Sequence, residues 1–150
     1  MDEKNREILK ILVKDGRAKI KEISKKVGLP ITTVYNRMLK MQSRGVFHVS
    51  ADIDRKKLGY TIDAYILVNI DTSIKGIDQE KLAHKITALP HVLRTSVVTG
   101  SKDMVVRVTA KNIEELSDLI LKEIRKFEGV AGTETLVVMK ESEASEEKLV

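Results

Sequence analysis

The 150 residues contain no cysteine, which excludes disulfide scaffolds, thiolate metal sites and cysteine nucleophiles. No apolar run reaches membrane-spanning length, and the longest uncharged greasy stretch is only strand-sized. No signal-type apolar run follows Met1, so a cytoplasmic, non-membrane protein is expected. Glycines fall at turns and never as GxGxxG, a Walker loop or a GxSxG elbow, which removes phosphate cradles and serine-hydrolase chemistry. His48, His84 and His91 stand on different elements with no His-x-x-Glu pairing, so neither a metal site nor a catalytic residue is expected.

What is present is a charged but foldable chain. Charged residues make up 33% and the hydrophobic class 42%, too apolar for disorder and sufficient for one domain or two small ones. The overall charge of +5 is unevenly spread. Residues 1–50 hold 12 Lys and Arg against 5 Asp and Glu, whereas residues 51–150 hold 15 against 17. A basic block with its own apolar periodicity points to a polyanion, most commonly nucleic acid, with a merely solvated lysine-rich surface as the alternative.

The apolar spacing predicts three helices in that block. Ile8, Leu9, Ile11, Leu12 and Val13 mark the first, over Asp2 to Lys14. Ile20, Ile23 and Val27 mark a short second helix stopped by Gly28. Ile31, Val34, Met38 and Met41 mark a third that Pro30 opens and Gly45 ends. Short helices joined by tight turns read as a helix-turn-helix bundle.

The period then changes. Val46, Phe47, Val49 and Ile53 suggest a strand and linker running to about Gly59. Strict alternation over Thr61 to Asp71 predicts a strand with one strongly buried face. A helix from Asp78 to Leu89 follows, then strands over Val92 to Thr99 and Met104 to Ala110 joined by the Gly100–Asp103 hairpin. A helix carrying Ile113, Leu116, Ile120, Ile124 and Phe127 precedes a last strand from Thr133 to Met139. The order is βαββαβ, a ferredoxin-like split fold within an α+β protein. Four segments follow: 1–50, a linker strand 51–59, a second domain 60–140, and a frayed acidic tail 141–150.

The third helix carries the sharpest functional inference. With its apolar face turned inward, a step of about 100° per residue puts Thr32, Asn36 and Lys40 on the opposite side, with Thr33 close by. These are groove-reading types: Asn pairs with adenine, Thr touches a thymine methyl or phosphate, and Lys meets guanine or the backbone. Tyr35, Arg37 and Arg44 on the flanks, with Arg17 and Lys19 at the start of the second helix, would reach phosphates or brace the bundle. Any exposed helix face is polar, so the reading role rests on membership of a basic three-helix unit.

In sequence order, ILKIL, DGR, ISKKVGLP, VYNRMLKM with RGVF, LGY, VVTGSKD and EGVAGTETLVVM together resemble the Lrp/AsnC, or feast/famine, transcription regulators of archaeal type. The resemblance runs in register over roughly residues 1 to 140 and implies a winged helix-turn-helix joined to a βαββαβ effector-binding (RAM-type) domain. It implies double-stranded DNA as partner, a homodimer formed through the sheets, and further assembly, often to octamers. Apolar Tyr65 and Leu67 on the strand face that the domain helices need not cover are consistent with such a dimer, although they can equally tile a small open sheet.

The family often binds an amino acid, and the residues that correspond to that effector site are Gly100, Asp103, Thr133 and Thr135. A turn glycine lets backbone N–H groups approach a carboxylate, and an Asp can meet an amino group, although Gly-Ser-Lys-Asp is also a good hairpin turn without a ligand. Lys102 stands where the family usually has an aromatic residue, so effector identity does not carry over. Pro30 stands where a Ser cap is common. Three alternatives stay open: an architectural DNA-wrapping protein, a scaffold whose helix-turn-helix binds protein, and a siroheme-decarboxylase-like enzyme. For the last, only His84, His91 and Arg94 fall near one region.

Overall fold

A computed structural model describes every residue except 143, 145 and 150. The chain divides into two compact units, one of Met1–Ile53 with Ser142–Val150 and one of Asp54–Glu141.

The first unit is built on α1 (Glu3–Lys14), α2 (Ile20–Val27) and α3 (Ile31–Ser43). Asp2 caps α1 by accepting a hydrogen bond from the Asn5 N–H, satisfying a donor that the first turn leaves unpaired. Helix α2 stops at Gly28, whose φ of 67° is the left-handed geometry that glycine adopts at least cost. The Gly28 and Leu29 N–H groups both donate to the Ser24 carbonyl, and the Ser24 hydroxyl donates to the Leu29 carbonyl at 2.6 Å. One serine therefore closes the turn between the two helices of the motif. Ile8, Leu9, Leu12, Ile23, Val27, Val34 and Met41 form the core. Two residues expected on the apolar faces, Val13 and Ile31, are instead 39% and 50% exposed. Ile31 sits in the first turn of α3, before the helix reaches the bundle.

The strand expected between Val46 and Ile53 does not form. This segment runs as irregular chain with Val49 and Ile53 exposed, since a lone strand has no ladder to join. In the tail, expected to be frayed, Glu146–Leu149 makes a 3₁₀ turn against α1. The expectation for 143, 145 and 150 lies outside the described residues.

The second unit opens with a 3₁₀ turn at Arg55–Leu58 capped by Asp54. It continues through β1 (Ile62–Ile70), α4 (Gln79–Thr87), β2 (Val92–Val97), β3 (Met104–Ala110), α5 (Ile113–Asp118) and β4 (Val130–Val137). The sheet is antiparallel in the order β2-β3-β1-β4, the split pattern read from the sequence. Strand β1 buries Ala64, Ile66, Val68 and Ile70 under the helices and turns Asp63, Tyr65, Leu67 and Asn69 to the other face. Glu141 lies over that other face: its carboxylate accepts from Arg107 at 2.8 Å and from the Tyr65 hydroxyl at 3.3 Å.

Strands β2 and β4 each end two residues sooner than expected, at Val97 and Val137, α4 is shorter at both ends, and two further boundaries differ for a physical reason. The last helix continues from α5 as a π turn over Leu119–Glu123 and a 3₁₀ turn over Ile124–Lys126, leaving Phe127 extended. Bonding from i to i+5 stacks residues five apart, which keeps both Leu119 and Ile124 in the core. Strand β4 starts three residues early because a bulge at Asn69/Ile70 carries the pairing back to Val130. Just before it, Gly129 has φ 98°, and a Cβ there would lie 2.6 Å from Ile77 Cδ1, so only glycine fits.

Candidate functional site

Helix α3 presents Thr32, Asn36 and Lys40 in one exposed row at i, i+4 spacing, opposite buried Val34 and Met41. Among the described residues nothing hydrogen-bonds to those three side chains. A cavity of about 760 Å³ beside this row is lined by Thr33, Asn36, Arg37, Lys40 and Arg44 with Asp2 and Asn5, and by the apolar Met1, Met41 and Val46. Five of the nine residues singled out from the sequence thus share one concavity. Thr32 continues the row, and Tyr35 is 48% exposed on the flank. Arg17 and Lys19 are exposed at the approach to α2, where the Lys19 carbonyl accepts the Glu22 and Ile23 N–H groups.

Arg37 differs from its neighbours. Its Nη1 donates to the Asp2 carboxylate at 2.6 Å and to the Asn5 side-chain carbonyl at 2.9 Å, tying α3 to the start of α1. The Asp2 carboxyl lies below the ordinary carboxylate value of 3.8, first because of the Arg37 hydrogen bond and then because of the Asn5 N–H. Of the two roles the sequence leaves open for Arg37, bracing is the one its hydrogen bonds perform. The Asp2 and Asn5 half of that brace was missed, although Asp2 carries the usual signal of an N-cap. Half-exposed Leu39 on α3 was missed as well.

In the second unit the hairpin between β2 and β3 turns at Gly100, with φ 132°. The Asp103 N–H donates to the Val68 carbonyl, and its carboxylate accepts from the Ile70 N–H at 2.7 Å. Asp103 is thereby part of the framework that holds the bulge in β1. Thr133 lies opposite Val68, so Asp103 and Thr133 meet the same residue of β1 from its two sides. Thr133 and Thr135 pair with Val68 and Ile66, which sets them on the helix-covered face, and Arg125 Nε donates to the Thr133 hydroxyl at 2.9 Å. Lys102 bonds Glu134 at 2.9 Å and the Asn69 side-chain oxygen at 3.2 Å. Those last two partners carry no sequence signal, because the contact depends on strand order.

The histidines separate. His84 and Arg94 line one cavity of the second unit, while His91 sits tilted against the Tyr60 ring, centroids 5.9 Å apart, and lies 3.4 Å from Glu115.

Residues 1–42 match the AsnC-type helix-turn-helix domain, and residues 63–147 match the Lrp/AsnC ligand binding domain. The chain belongs to the Lrp/AsnC family. It is a transcription regulator with a DNA-binding helix-turn-helix unit and a four-stranded α+β unit. The regulator is 38% identical over 141 residues to HTH-type transcriptional regulator FL11 of Pyrococcus horikoshii, spanning 93% of this chain and 90% of that one. Its identity to the Pyrococcus furiosus protein of the same name is 35%, with the same coverage. Its fold superposes on E. coli AsnC with TM-score 0.87 at 24% identity, covering 96% of this chain and 95% of that one. A Neisseria meningitidis transcriptional regulator, solved as an L-methionine complex, gives TM-score 0.88 at 22% identity, covering 97% and 94%. Among the regulator's described residues, no helix is long and apolar enough to cross a membrane.

Proposed function

We propose that the regulator binds its operator sequence-specifically, with α3 in the major groove. Thr32, Thr33, Asn36 and Lys40 meet base edges, while Arg17, Lys19, Tyr35 and Arg44 meet phosphates. Arg37 belongs to the interface as the brace that sets the helix. The observation that carries this reading is the uncommitted row of Thr32, Asn36 and Lys40 on a helix whose other face is fixed in a core. Two copies joined through their open sheet faces present two recognition helices, so half-sites one helical turn or a small multiple apart are expected. Higher assembly, to an octamer, is part of the same reading, as are cytoplasmic location and a non-catalytic role.

We further propose that an amino acid or related small molecule modulates the regulator at the turn containing Gly100 and Asp103, with Thr133 and Thr135 nearby. The L-methionine complex of the Neisseria protein supports an amino acid as the ligand class. Lys102, tied to Glu134 and Asn69, gives this turn a charged wall in place of an aromatic one.

The deciding experiment is a fluorescence-anisotropy titration of DNA from the gene's own upstream region against a shuffled control at two salt concentrations. A preference of about a thousandfold or more supports operator reading. Equal, steeply salt-dependent affinities overturn it in favour of DNA wrapping, and no binding to either DNA overturns DNA recognition altogether.

A further inference from the structure

The first turn of α1 makes bonds to both helices of the helix-turn-helix motif. Lys4 Nζ donates to the Val27 carbonyl of α2 at 2.8 Å and to the Glu7 carboxylate at 3.0 Å. Asp2 and Asn5 accept from Arg37 of α3. Exposure sets these two cations apart from the rest of the basic block. Of the 12 Lys and Arg in residues 1–50, Lys4 and Arg37 are partly buried and the others are exposed.

Val27 is the last residue of α2, and the last turn of a helix leaves its carbonyls without donors in that helix. An ammonium placed there meets an unpaired acceptor and the negative end of the helix dipole together. From Val27 the chain reaches α3 through Gly28, Leu29 and Pro30 alone. The ring of Pro30 fixes its φ, here −56°, and Ser24 engages both the N–H and the carbonyl of Leu29. The turn has little freedom of its own, so a bond that fixes Val27 also fixes where α3 begins.

We propose that Lys4 is a positioning residue for DNA reading. With Arg37 it clamps α2 and α3 to the first turn of α1 and so sets the direction in which α3 presents Thr32, Asn36 and Lys40. This role rests on α3 being the operator-reading helix. Lys4 itself meets no DNA, because its ammonium is engaged by Val27 and Glu7. Base-edge contacts depend on distance and angle, whereas phosphate contacts carry no sequence information, so loss of the clamp loosens discrimination before general affinity.

The test is a double-mutant cycle read by fluorescence anisotropy, with DNA from the gene's own upstream region and a shuffled control. It compares the wild type, Lys4→Met, Asn36→Ala and the double variant. Methionine keeps an unbranched apolar stem and removes the donors. Lys4→Met is expected to weaken operator binding by roughly fivefold or more, to change affinity for shuffled DNA by less than about twofold, and to leave the salt slope unaltered. Asn36→Ala should cost less in the Lys4→Met background than in the wild type, and Lys4→Arg should restore operator affinity. A thermal melt checks that each variant is folded. If Lys4→Met does not fold, Lys4→Gln, which keeps a polar end on a shorter side chain, takes its place.

Equal losses on both DNAs with a shallower salt slope overturn the proposal and make Lys4 a phosphate contact. Strict additivity with Asn36→Ala overturns it too, leaving Lys4 a residue of general stability, as does unchanged operator affinity in Lys4→Met. A wild type with no operator preference, or an Asn36→Ala variant that keeps it in full, instead fails the reading of α3 itself, and the clamp falls with it.

Discussion

The two units spend their polar side chains in opposite ways. On α3 of the first unit, Thr32, Asn36 and Lys40 point outward with no side-chain hydrogen bond among the described residues, whereas Arg37 is tied down. At the hairpin of the second unit, Asp103, Lys102 and Thr133 are all engaged by neighbouring strands or helices. A surface built to read another molecule keeps its donors and acceptors free. The turn must give up or share internal bonds before it can hold a ligand. The proposed DNA-reading row is therefore a preformed face, and the proposed effector turn is framework tied into the sheet.

The units also differ in how much core supports them, and this sets the largest expected effect. Among the described residues, seven buried apolar side chains hold the first unit and fourteen hold the second. Ile23 is fully buried in the smaller core, at the centre of α2. Ile23→Ala is expected to cost about 2–5 kcal/mol, enough to consume most of a small unit's stability. Denaturant unfolding followed by probes in each unit would check this: the first unit should melt early and lose DNA binding while the sheet stays folded. A single unfolding transition for both units would erase the distinction between them.

The second effect sharpens the comparison at α3. Asn36→Ala should weaken operator binding by about 1–3 kcal/mol and leave affinity for random DNA nearly unchanged. Equal losses on both DNAs would make Asn36 a positioning contact. A DNA footprint with no dyad symmetry would remove the paired-helix arrangement.

The legibility of the fold in the sequence follows the same division. Helix-period spacing located all three helices of the first unit, and Gly28 marked its turn, because those signals are local. The exposed row on α3 follows from the same geometry. The bracing of Arg37 by Asp2 needs residues 35 positions apart, and spacing along one helix contains no trace of it. In the second unit the order of strands was legible, but the bulge at Asn69/Ile70 and the π turn after α5 were not. Both are adjustments to packing between elements. The strand expected from Val46 to Ile53 was misread because alternation describes a surface that suits pairing and does not supply a partner.

A third change tests whether the hairpin turn is framework. Asp103→Ala leaves the partly buried Ile70 N–H without its acceptor, at a cost of about 1–2 kcal/mol. A thermal melt should show a small drop with the fold retained. If an amino acid binds at the turn, its response should vanish in this variant. A response that survives would remove Asp103 from the site, and an unchanged melting temperature would remove it from the framework.

The smallest effect concerns Arg37, the cation of α3 that is tied to α1. Arg37 lowers the Asp2 carboxyl below its ordinary 3.8, so the brace contributes fully above that value. Its contribution is lost as pH falls through the lower folded value, because a depressed carboxyl stabilises only while ionised. Asp2 is an exposed residue, so solvent screens the pair and the global melt should barely respond. A carboxyl-carbon NMR titration is the suitable measurement. Arg37→Gln should return Asp2 toward 3.8, leaving the smaller lowering that the Asn5 N–H and the N-terminal ammonium supply. No movement of Asp2 in that variant would dissolve the brace and return Arg37 to the set of side chains free to meet phosphate, erasing the contrast within α3 itself.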